Sequence, residues 1–170
     1  MNAFYWDASA LAKRYAPELG TDLVNHLFAY VALDKMMCLV ISTGEVISVL
    51  VRRKNDNRIN ADDFAQALEN FRAEVIDAAA FNLVSIEDAL VLASHPLIAR
   101  HSLNATDALV LRSILDTASI VRPAGNEIVL VASDRRLLRA ARAEGLQTFN
   151  PEVDTQAYLD ALIQTDLETP

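Results

Sequence analysis

The stretch Ala3-Phe4-Tyr5-Trp6-Asp7-Ala8-Ser9-Ala10-Leu11 stands near the start of the chain and decides how the rest is read. Residues 3–6 read as a strand, Asp7 follows at once, and residues 9–15 read as a short helix that Pro17 closes. The pattern then repeats. Residues 21–33 are helical, with Leu23, Leu27, Tyr30 and Val31 on one face, and residues 37–41 form a second strand. Ser42-Thr43-Gly44-Glu45 has the spacing of a capping box and opens a helix to about Lys54. Between residues 60 and 79, Phe64, Leu68, Phe71 and Val75 recur at helical steps opposite Asp62, Gln66, Glu69 and Arg72.

A third strand is expected over residues 81–85, and a helix over 86–94 that Pro96 ends. Another helix runs over residues 105–116. Pro123, Gly125 and Asn126 turn the chain into a strand over 128–132, and a helix from about Asp134 stops at Gly145. Gln147–Phe149 is a last short strand, and the remainder reads as one weak helix. Strands separated by helices imply βαβ units. The expected fold class is therefore α/β, a three-layer αβα sandwich with a mainly parallel sheet. In such sheets ligands gather at the carboxyl ends of the strands.

Composition supports one folded domain. The chain has 170 residues, of which 52% are hydrophobic and 22% charged. Cys38 is the single cysteine, in an apolar run, so a buried thiol and a reducing compartment are expected. No apolar stretch approaches the roughly 18 residues of a membrane span, and no basic segment precedes an apolar core. A cytoplasmic location, with no membrane partner, is the expectation. Net charge is −8, with 15 basic against 23 acidic residues, which argues against nonspecific polyanion binding. Residues 152–170 hold Glu152, Asp154, Asp160, Asp166 and Glu168 with no Lys or Arg; without them the balance is −3. The basic residues cluster at Arg52-Arg53-Lys54 with Arg58, and at Arg135-Arg136 with Arg139 and Arg142.

Asp7 directly follows the first strand, Glu45 lies in the first turn after the second, and Asp134 follows residues 128–132 with only Ser133 between. Asp107 sits in the first turn of the helix over 105–116. Each has a structural explanation, because acids at helix N-termini gain roughly 0.3–1 kcal/mol from the dipole and the free N–H groups. Jointly they are harder to account for. Two carboxylates about 5 Å apart repel by roughly 3 kcal/mol at an effective dielectric near 20. A bound divalent cation reverses that sign, and all-oxygen ligands select Mg²⁺ or Mn²⁺. Such an ion suits phosphodiester hydrolysis by an activated water.

These motifs, Tyr5-Trp6-Asp7-Ala8-Ser9, Ser42-Thr43-Gly44-Glu45-Val46, Asn104-Ala105-Thr106-Asp107-Ala108 and Ser133-Asp134-Arg135-Arg136-Leu137, together resemble the PIN-domain ribonucleases. The resemblance is particularly to the VapC-type toxins of toxin–antitoxin pairs. It spans residues 1–151, which are then the nuclease domain, with 152–170 an acidic, helical extension of the same domain. It implies a metal-dependent endoribonuclease that leaves a 5′-phosphate and a 3′-hydroxyl, with Asp7, Glu45, Asp107 and Asp134 as catalytic metal ligands for Mg²⁺ or Mn²⁺. Ser9 takes the place of the family's small hydroxyl residue near the metal, with Thr43 and Ser133 as companions that helix capping also explains. A protein antitoxin and a homodimer are the implied partners, beside an RNA substrate. The chain is longer than most such toxins, and its acidic end has no counterpart in them.

Other residues have two readings. Arg135, Arg139 and Arg142 share a helical face, either as contacts to an RNA backbone or as a solvated surface. The helix holding Val46, Ile47, Val49, Leu50 and Val51 is apolar nearly all round, so it is buried or covered by a second copy, as the face along residues 64–75 also could be. His101 either approaches the site or ends a helix. Strand alternation sends one of Tyr5 and Trp6 to the core. Phosphatase, receiver and P-loop arrangements lack their residues: Ser9 stands where a second Asp is needed, and no Gly-Lys pair occurs. Two alternatives stay open: a PIN-like binding or assembly module without catalysis, and a nuclease acting on single-stranded DNA.

Overall fold

The computed structural model describes residues 2–164; Met1 and residues 165–170, with Asp166 and Glu168 of the acidic end, lie outside the described residues. Five strands, β1 (Asn2–Trp6), β2 (Met36–Leu39), β3 (Asn82–Val84), β4 (Glu127–Val131) and β5 (Gln147–Phe149), form one sheet in the order β3-β2-β1-β4-β5. Every pairing is parallel, with Phe4 opposite Met36 and Val129, and Val131 opposite Phe149. The helices are α1 (Ala8–Leu11), α2 (Thr21–Tyr30), α3 (Val40–Asn55), α4 (Ala61–Phe71), α5 (Asp88–His101), α6 (Ala105–Val121), α7 (Arg135–Ala143) and α8 (Gln156–Gln164).

Because successive strand residues point to opposite faces, the sheet feeds two cores. Phe4, Trp6, Cys38, Val131 and Phe149 pack against residues of α1–α4 and α8, including Leu11, Leu27, Leu50, Phe71 and Leu159. Tyr5, Leu39, Ile128 and Leu130 pack against α5, α6 and α7. This is the three-layer αβα sandwich. Tyr5 and Trp6 are both 0% exposed, whereas alternation on a one-sided sheet would bury only one of them. Tyr5 reaches across its core to donate from Oη to Ser113 Oγ at 2.7 Å. Cys38 is buried, and that burial, with Asp7 nearby, pushes its thiol up to about 12. Among the described residues no helix is long and apolar enough to cross a membrane.

Three expectations change. Residues 42–45 are not a capping box: α3 already starts at Val40, with Leu39 as N-cap and no side-chain cap bond. Strand β2 runs straight into the helix, Ser42 is buried, and Thr43 Oγ1 bonds back to Val40 O at 2.7 Å. Pro96 does not end its helix, which continues to His101. The carbonyl it leaves unpaired belongs to Leu92, which faces water, and α5 is held by its packing along α6. The amphipathic helix over 60–79 begins as expected, Asn60 Oδ1 accepting from Asp63 N, but beyond Phe71 it widens into a π turn over Arg72–Ile76. There Glu74 takes Arg14 and accepts from the Tyr15 hydroxyl.

The chain runs outward from β1 to β2 and β3, then crosses back to β4 and β5 on the other side. The reversal lies between β1 and β4, and their carboxyl ends frame the crevice where open α/β sheets bind ligands.

Candidate metal centre and nucleic-acid cleft

Asp7 leaves the middle of the sheet, its N–H still donating to Val131 O at 3.0 Å. Its side chain is nearly buried and caps α1, Oδ2 accepting from Ser9 N at 2.9 Å and from the Ser9 hydroxyl. That hydroxyl also accepts from Ser133 N at 2.9 Å and Asp134 N at 3.2 Å. Ser9 thus ties the acid after β1 to the loop after β4. Asp134 caps α7, with Oδ1 accepting from Arg136 N and Leu137 N at 2.8 and 3.0 Å.

Glu45 and Asp107 do no capping. Without a capping box, Glu45 has no bond back to the helix start, and Asn104 caps α6 by accepting from Asp107 N at 2.8 Å. Among the described residues, Asp107 Oδ2 is buried with no hydrogen-bond partner. An unpaired buried carboxylate oxygen is costly, and a cation would satisfy it.

Asp7, Glu45, Asp107 and Asp134 line one cleft of about 330 Å³, with Ala8, Ser9, Ser48, Val49 and Arg52. The charges feel one another. Burial raises the Asp7 carboxyl, against the pull of its bonds to Ser9, and Asp134 raises it further. Glu45 is pushed up to about 7 by burial, then by Asp7 and Asp107, with Arg52 opposing. Asp107 is pushed up to about 6 by burial, then by Asp7 and Asp134, with Arg136 opposing.

The donor set fits a hard cation. Its oxygens are carboxylate, one of them is orphaned, and Arg52 and Arg136 offset their mutual repulsion only in part, since Glu45 and Asp107 stay raised. Among the described residues no group of three His, Cys, Asp or Glu side chains is already arranged to hold an ion. Mg²⁺ does not need such a cage, since it keeps several waters and takes one or two carboxylates.

Thr43 and the arginines Arg135, Arg139 and Arg142 are not among the residues lining this cleft. Arg135 and Arg142 border a separate cavity, and Arg142 Nε donates to Thr148 Oγ1 at 2.8 Å. Ser133 lies on an adjoining cleft, its buried hydroxyl without a partner. His101 is turned away and meets Glu144 at 2.7 Å. The sequence reading missed Ser48, Val49 and Arg52 as cleft residues. Their signal was present in the spacing, because positions three, four and seven after Glu45 share its helix face.

No protein-family model matches the chain, and no curated protein is similar to it in sequence. Among solved structures it is similar to PAE2754 from Pyrobaculum aerophilum, at 21% identity and TM-score 0.57, covering 95% of this chain and 98% of that one. It is also similar to FitAcB from Neisseria gonorrhoeae, at 13% identity and TM-score 0.58, covering 89% and 99%. At these identities the likeness concerns the fold, a PIN-like α/β sandwich over nearly the full length of each chain.

Proposed function

We propose that this chain is a divalent-metal-dependent endoribonuclease and the toxin of a toxin–antitoxin pair. The observation that carries the reading is the carboxylate cleft at the sheet's reversal point, where burial, and then the neighbouring acids, raise Asp7, Glu45 and Asp107, and where, among the described residues, Asp107 Oδ2 is left unpaired. Mg²⁺ or Mn²⁺ suits these oxygens, and when bound it supplies Lewis-acid polarisation of a phosphate and a more acidic water. The protein's part is to hold and orient. Asp7, Glu45, Asp107 and Asp134 are the ligands, and Ser9 fixes the position of Asp7 against the Ser133–Asp134 backbone. Arg52, on the cleft wall, offsets some of the repulsion a phosphate meets there.

The toxin assignment rests on the resemblance of the four motifs to VapC-type proteins. A protein antitoxin covering the cleft, a homodimer and a cytoplasmic location belong to the same proposal, as does one domain over residues 1–151 with its C-terminal extension. In support of the last point, Leu159 and Leu162 of α8 are buried in the core beneath β1 and β4.

The test is cleavage of mixed single-stranded RNA and DNA pools with Mn²⁺, Mg²⁺ or EDTA, by wild type and Asp7→Asn, with product ends mapped. Metal-dependent cutting of RNA that leaves 5′-phosphates and is lost in Asp7→Asn is expected. Cutting confined to DNA would reassign the substrate. No cutting, together with no effect of Mn²⁺ on melting, would leave a binding module.

A further inference from the structure

Beside the carboxylate cleft lies a second one of about 410 Å³, and Ser9, Val49, Arg52 and Asp134 border both. The two clefts are therefore continuous. Much of the charge on the second is spent within the protein. Lys13, 1% exposed, holds Glu18 at 2.8 Å and Glu152 at 2.6 Å, and Arg53 pairs with Glu18. Arg52 and Arg58 differ: both are exposed, and among the described residues neither side chain makes a hydrogen bond or an ion pair. Asp56 is the remaining acid on that rim beside Asp134. Arg52 lies seven residues after Glu45 on one face of α3, about 10 Å further along the helix axis.

We infer that the second cleft is a subsite for the phosphodiester backbone of a single-stranded polynucleotide, with Arg52 and Arg58 taking a phosphate next to the one at the carboxylates. The inference rests on the nuclease reading and adds the path of the substrate. A polyanion approaching four carboxylates is repelled, and a chain of net charge −8 has no broad positive field to offset this. Two guanidinium groups on the adjoining wall, without a hydrogen bond or ion pair among the described residues and with Arg52 drawn only at longer range to Glu45, provide a local one, with a planar fork that matches phosphate oxygens. The arginine face of α7 does not compete for this role, because Arg135, Arg139 and Arg142 border neither cleft.

The experiment is fluorescence anisotropy of short labelled single-stranded oligoribonucleotides, in EDTA so that nothing is cut, over a range of salt concentrations. Wild type, R52A, R58A, the double variant and R139A are compared. R52A and R58A are each expected to weaken binding whatever the oligonucleotide sequence and to reduce the slope of log K against log salt by about 0.7, the double variant by about 1.4. R139A is expected to match wild type, and all the variants to melt with it, since these side chains are exposed. Unchanged affinity and slope in R52A and R58A would overturn the inference while leaving the nuclease reading intact. Loss confined to R139A would overturn it too, moving the path to α7. A wild type that binds no oligonucleotide overturns it as well, and if that protein also fails to cut in Mn²⁺, the nuclease reading falls with it.

Discussion

The Ser9 hydroxyl donates to Asp7 and accepts from two backbone N–H groups of the next loop, so its whole hydrogen-bonding capacity is used at the junction of β1 and β4. Alanine there leaves the Asp7 carboxylate less constrained and two N–H groups unanswered. Ser9→Ala is expected to lower Mn²⁺ affinity about 10–100-fold, the usual effect of losing a group that orients a metal ligand, as read by calorimetric titration. Glu45 and Asp107 make metal-free stability depend on pH. Their folded pKa values of about 7 and about 6 lie above the usual 4.5 and 3.8, so the folded state binds protons more tightly than the unfolded one. Their contribution favours folding at low pH and is lost as pH rises through 6 to 7. Melting in EDTA should therefore fall between about pH 5 and pH 8 more steeply in wild type than in Glu45→Gln. Equal slopes for the two proteins would count against the raised Glu45 value.

At the scale of elements, two matched caps separate folding from function. Asn60 caps α4 and Asn104 caps α6, each by accepting from the N–H three residues on. Either change to Ala is expected to cost about 1 kcal/mol in chemical denaturation. Asn104→Ala alone should also weaken the metal response, because α6 carries Asp107. Pro96 sits inside α5, and Pro96→Ala is expected to stabilise by up to about 3 kcal/mol, since it restores a donor without disturbing the buried Leu97. Every strand was legible within a residue or two, because apolar runs between helical stretches have few other uses. Helix boundaries were less so. The capping-box spacing at residues 42–45 is a local signal, and the direct passage of β2 into α3, with Ser42 buried in its first turn, overrode it. Pro96 is a strong local breaker, and packing of α5 on α6 overrode that.

At the scale of the molecule, sheet order decides which acids meet. The sequence showed three acids after strands and one at a helix start, but it could not show that β1 lies between β2 and β4, which brings all four to one cleft. It also could not show that Arg52 lines that cleft while the α7 arginines do not, since both clusters have the same helical spacing. Nor was the ion network of Lys13, Glu18, Arg53 and Glu152 legible, because its members are up to 139 residues apart. Lys13→Ala leaves two glutamates without their shared cation. It is expected to cost about 2–3 kcal/mol, less than a fully buried pair, because both glutamates keep some contact with water.

The central claim is that the cleft is a repulsive carboxylate cluster completed by a divalent cation, and thermal melting of wild type and Asp107→Asn at about pH 8, in EDTA and in excess Mn²⁺, tests it most directly. Wild type is expected to melt higher with Mn²⁺. Asp107→Asn should melt above wild type in EDTA, through relieved repulsion, and lose most of the Mn²⁺ response. A wild type that Mn²⁺ does not stabilise, or an Asp107→Asn protein that melts below wild type in EDTA, would contradict it.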